Sequence, residues 1–65
     1  MTRCFTDNMT SPPIVARRDD GSDEAFAGGR WQRTTLIIDY MAGNNDFMDD
    51  TTEQAARQVA PAAFS

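Results

Sequence analysis

The chain contains no histidine and no lysine, one cysteine, and no apolar run longer than the three residues Leu36-Ile37-Ile38. Each absence removes a class of function. Proton transfer and nucleophilic attack near neutral pH draw mostly on histidine, lysine or an activated cysteine. Cys4 sits beside Arg3 in a polar segment and has no base beside it, so an ordinary thiol is expected. Carboxylates acting alone would need a deep pocket, which a chain of 65 residues can hardly wall off. The expectation is a protein with no catalytic residue and no cofactor.

A lone cysteine cannot close an internal disulfide and, without histidine, cannot complete a zinc site. Neither the stretch Asp39 to Asp50 nor Asp46 to Glu53 has the ligand spacing of a calcium loop with glycine in sixth place, so no metal is expected. An unpaired thiol fits a reducing cytoplasm. Three consecutive apolar residues fall far short of the ~20 that span a bilayer. Residues 1–13 have no secretion-signal stretch, and neither a prenylation cysteine nor an acceptor glycine is present, so no membrane association is expected.

What remains is a small acidic chain of 65 residues, 40% apolar, with net charge −4. A domain of this size buries only roughly 60% of its unfolded surface and usually leans on disulfides, metals or a partner. With the first two removed, the remaining aid is a partner protein or self-association, a homodimer included. All six basic residues are arginine, and eight of the ten acidic residues are aspartate, which favours turns and helix starts.

The predicted fold is α+β, a small two- or three-stranded antiparallel sheet with one C-terminal helix. Residues 1–13, ending in Pro12-Pro13, read as an irregular N-terminal arm. Residues 14–60 form the single domain. Ile14 to Arg18 reads as a strand running into Asp20-Gly21, a favoured pair for a two-residue hairpin loop. Ser22 to Phe26 either returns as a strand or, in the competing reading, forms a helical turn at 23–27 closed by Gly28. After Gly28-Gly29, residues Arg30 to Tyr40 read as the strongest strand, with Leu36, Ile38 and Tyr40 facing the core and Trp31, Arg33, Ile37 and Asp39 facing away. Ala42 to Asn45 supplies a turn. A helix follows over 46–60, capped by Asn45 or Asp46, or starts a turn later under Asp50 or Thr51. Residues 61–65 form a tail in which only Phe64 is able to anchor.

Three features are candidates for contact with a partner. In a helix, Asp46, Asp49, Asp50 and Glu53 share one face through their i, i+3, i+4, i+7 spacing; they also serve, more plainly, as a charged helix start. A second acidic group, Asp19, Asp20, Asp23 and Glu24, falls at the hairpin, where the plain reading is solubilising charge. Trp31, flanked by Arg30 and Arg33, is either an interface anchor or a core tryptophan. The net negative charge disfavours direct nucleic-acid binding.

Residues 33–39, Arg-Thr-Thr-Leu-Ile-Ile-Asp, resemble the strand that opens many ribbon-helix-helix repressors and antitoxins. That resemblance implies a dimer with Arg33, Thr35 and Ile37 in the DNA major groove, although Ala42 to Asn45 interrupts the helix such proteins need next. The leading expectation is different: a non-enzymatic small acidic inhibitor whose two acidic clusters dock on a basic surface of a nucleic-acid-processing protein. Inhibitors encoded by phages and mobile elements, such as anti-CRISPR proteins and antitoxins, have this size and charge. A DNA-binding regulator using strand 33–39 is the alternative.

Overall fold

The structure, a computed structural model, describes residues 2–64. Two pairs of residues with positive φ turn the chain back on itself: Asp20 at 49° with Gly21 at 83°, and Gly28 at 63° with Gly29 at 81°. Positive φ at both central residues is the signature of the two-residue hairpin loop whose twist matches its strands. The first loop joins β2 (Ile14–Asp19) to β3 (Ser22–Ala27), and the second joins β3 to β4 (Arg30–Arg33). The strand reading of residues 22–26 therefore holds over the helical turn.

Residues 3–7 correct the irregular arm: they form β1 (Arg3–Asp7), which pairs antiparallel with β2 on one side and with β5 (Met48–Thr51) on the other. The sheet has five antiparallel strands in the order β4-β3-β2-β1-β5, more than the two or three predicted. Its architecture is α+β, with the predicted C-terminal helix in place as α2 (Glu53–Val59). A first helix, α1 (Leu36–Met41), carries the chain from β4 across the sheet to β5. The tail is ordered too, as a 3₁₀ turn over Pro61–Phe64. Met1 and Ser65 lie outside the described residues.

Alternation along β1 builds two cores. Phe5 points to one face, where it packs with Ala16, Ala25, Ile37 and Met48, and α1 closes over them. Cys4, its neighbour, points to the other face and packs with Val15 and Ala56 beneath α2 and the 3₁₀ turn. The sheet thus lies between helical layers on both sides.

Two elements depart from the local sequence pattern. The long strand over 30–40 ends at Arg33, and residues 36–41 are helical despite their β-branched content. As a helix this stretch turns Leu36 and Tyr40 onto Phe5 as predicted but exchanges the two isoleucines: Ile37 is fully buried and Ile38 is 55% exposed. Covering the sheet outweighs β propensity. Thr34 Oγ1 accepts the Leu36 N–H at 3.2 Å, and Gly43, at φ 82°, ends the helix. Only Arg33 of the stretch resembling a ribbon-helix-helix strand is in a β-strand, so that dimer strand does not form.

The helix over 46–60 starts only at Glu53. Thr52, rather than Asp46, Asp50 or Thr51, caps it, its side chain accepting the Ala55 N–H at 3.1 Å. The preceding residues extend as β5 because Asp and Thr are poor helix-interior residues and Met48, 2% exposed, fills the core from a strand.

Candidate functional site

The register fixes where each acidic residue falls. Arg3 pairs with Arg18 at one end of the sheet, and Asp7 pairs with Ile14 and Met48 at the other. The Asp20-Gly21 loop therefore lies at the Arg3 end, whereas Asp46, two residues before Met48, lies at the Asp7 end. The second cluster is therefore spread along the sheet, with Asp46 at the Asp7 end and Asp50 reaching Arg3 at the other.

At the Arg3 end, two of the four predicted carboxylates are already paired across the hairpin. Arg18 grips Asp23 with two hydrogen bonds, Nε to Oδ1 at 2.7 Å and Nη2 to Oδ2 at 2.9 Å. Arg17 donates twice to Glu24 Oε1, at 3.2 and 3.0 Å. Asp19 and Asp20 stay exposed and, among the described residues, unpaired. The Arg18 guanidinium holds the Asp23 carboxyl below its ordinary pKa, and the same bond raises Arg18.

A depressed carboxyl pKa supports the fold fully above the unfolded value, about 3.9, and loses that support as pH falls through the folded value. Urea unfolding is therefore expected to show stability declining below about pH 4, with a shallower decline in Asp23→Asn. Equal pH slopes for the two proteins would remove Asp23 from the acid response.

The second cluster is dispersed, which corrects the single helical face. Asp46 precedes β5, Asp49 and Asp50 lie within it, and Glu53 opens α2. Asp50 shares the face of Phe5, its register partner, and meets Arg3 at 2.9 Å. Asp49 shares the opposite face with Thr6 and accepts from Asn8 Nδ2 at 2.9 Å. Glu53 pairs with Arg57 one turn along at 3.3 Å. The Tyr40 hydroxyl donates to Asp50 at 3.4 Å, and that carboxylate holds the phenol above its ordinary pKa.

Trp31 is half-buried and packs against the second core. Its indole N–H donates to the Ala63 carbonyl at 3.0 Å, and its ring meets Phe26 and Phe64 edge-on at 5.5 and 5.7 Å. The Arg17 guanidinium stacks over it at 3.9 Å. These contacts hold the C-terminal turn on the sheet. Arg33 is exposed and without an ion pair among the described residues, and lines a cavity of about 570 Å³ with Asp23, Thr34 and Ile38. Cys4 is 3% exposed, and burial pushes its thiol pKa up, so it stays protonated and shielded.

Sequence pattern alone missed the arrangement at the Asp7 end. A cavity of about 410 Å³ opens there, with Met9, Leu36 and Phe47 as apolar walls and Asp39 and Asp46 beside them. Asp7, 3% exposed, ties the walls together: Oδ1 accepts the Met9 N–H at 2.9 Å and Oδ2 accepts from Asn45 Nδ2 at 3.3 Å. Asn8 holds the other side, its N–H and Nδ2 both donating to the Phe47 carbonyl at 2.9 and 3.2 Å. The available signal was Asp7 two residues before an exposed methionine, an Asx-turn spacing, but its partner Asn45 is distant in sequence.

Among the described residues no cluster of carboxylates and thiols could hold a metal ion, and no helix is long and apolar enough to cross a membrane. No protein-family model, curated protein or solved structure matches the chain.

Proposed function

We propose that the protein is a non-enzymatic inhibitor that docks on the basic surface of a nucleic-acid-processing protein and blocks it in a stoichiometric complex, in the manner of anti-CRISPR proteins and antitoxins. The observation behind this reading is how charge is sorted. Four of the six arginines are held in ion pairs with Asp50, Glu24, Asp23 and Glu53. Among the described residues that leaves Asp7, Asp19, Asp20, Asp39, Asp46 and Asp49 against Arg30 and Arg33. Five of those carboxylates are on residues that are exposed or half-buried, at both ends of the sheet. Such a surface steers toward a basic groove and repels nucleic acid, so it competes with phosphates for the partner rather than binding them.

Affinity capture from the cells that carry the protein supplies the partner, and titration then tests the mechanism. The partner's nucleic-acid binding or cleavage is expected to vanish near a one-to-one ratio and to recover as salt rises. Reversing Asp19, Asp20, Asp39 and Asp46 to arginine leaves all four ion pairs in place. It is expected to weaken inhibition by at least about tenfold at low salt. A captured partner whose nucleic-acid activity is untouched by excess protein would overturn the proposal.

A further inference from the structure

We infer that the groove at the Asp7 end is the docking site for one segment of that partner: a peptide stretch with an aliphatic or aromatic anchor flanked by arginine or lysine. This rests on the inhibitor reading and specifies its contact. Met9 is 63% exposed and Phe47 53% exposed, although both are large apolar side chains. Apolar surface placed side by side in the open marks contact sites more often than chance. The backbone that carries it is also held in place: the Asp7 and Asn8 hydrogen bonds fix the Met9 N–H on one wall and the Asn45 to Phe47 loop on the other. Phe47 N–H adds a bond to Asn45 Oδ1 at 3.0 Å. A wall fixed before binding loses less entropy when a ligand arrives.

The charge selects the occupant. Asp39 and Asp46 border the groove and have no ion-pair partner among the described residues. Among the described residues the cations without an ion pair, Arg30 and Arg33, lie on β4, at the opposite edge of the sheet from β5. The matching cation is therefore a partner's. Phosphate groups are repelled from such a site, and a purely apolar segment would leave both carboxylates uncompensated. A side chain of leucine or phenylalanine size between Met9 and Phe47, with guanidinium or ammonium groups reaching Asp39 and Asp46, satisfies both requirements.

The test uses the full chain, ¹⁵N-labelled, titrated with three short synthetic peptides: arginine-flanked leucine, the same with alanine for leucine, and glutamate-flanked leucine. The first is expected to give saturable amide shifts centred on Met9, Asp39 and Asn45 to Phe47, with affinity about tenfold above the alanine peptide. The glutamate peptide is expected to give none. Phe47→Ala and the pair Asp39→Lys with Asp46→Lys alter exposed or half-buried side chains that carry no ion pair. Each is expected to keep the native spectrum and lower affinity at least about tenfold. Equal affinity for the leucine and alanine peptides, or shifts centred on Asp19 and Asp20, would overturn the groove. So would shifts at these residues on concentrating the protein alone, which would make a second copy the occupant. The inhibition assay separates the two claims. Full inhibition by Phe47→Ala and by the lysine pair rejects the groove but keeps the inhibitor, whereas peptide binding by a wild-type protein that inhibits nothing rejects the inhibitor alone.

Discussion

Phe5→Ala is expected to leave the chain with no cooperative thermal melt by circular dichroism. Phe5 is fully buried in the strand that hydrogen-bonds to both β2 and β5. Its ring meets Tyr40 edge-on at 6.0 Å and lies under Ile37, so it joins the sheet to α1. Removing a buried phenylalanine costs about 3–5 kcal/mol, while small domains rarely hold more than about 5 kcal/mol in total. The loss consumes the whole margin. Thr10→Ala, on the exposed connection after β1, serves as the control and is expected to melt like the parent. A cooperative melt of Phe5→Ala within a few degrees of the parent would show that the core closes without this ring.

The second large effect is expected at Asp7. Asp7→Ala leaves the Met9 N–H and the Asn45 amide without their acceptor. A hydrogen bond to a charged group contributes about 1.5–3 kcal/mol, a substantial share of a thin margin, so the urea midpoint should fall clearly. The same change unties the groove walls, so affinity for the arginine-flanked leucine peptide should fall even where the variant is fully folded. Asp7→Asn retains a carbonyl oxygen able to accept from Met9 and is expected to recover part of both losses. An unchanged urea midpoint in Asp7→Ala would remove Asp7 from its place as the tie between the walls.

How far the fold was legible depended on whether the deciding force was local. The hairpin over 14–27 was legible because Asp20 and Gly21 tolerate positive φ and the flanking residues favour strands. The helix after Thr52 was legible as a C-terminal helix, but its start was displaced, since threonines and aspartates over 46–52 suit a cap, a turn or an edge strand equally by local preference. β1 was hidden for a different reason. Cys4 and Phe5 are both buried, one on each face, so the strand shows no polar and apolar alternation to recognise. α1 was misread because its β-branched residues report propensity, whereas its conformation is set by the need to cover Phe5. The groove joins residues 7 to 9, 36 to 39 and 45 to 47, and no local pattern brings those three segments together.

The strand order sets when the molecule can exist during synthesis. β1 is made first but lies between β2 and β5, so one of its two hydrogen-bonding edges stays unsatisfied until Thr51 has been added. Trp31 likewise waits for Ala63 before its indole N–H finds an acceptor. Pairings this distant in sequence make closure slow relative to chains held by local contacts. A nascent or truncated chain that stops before Thr51 has no complete sheet and leaves an edge of β1 unpaired, which exposes it to proteolysis.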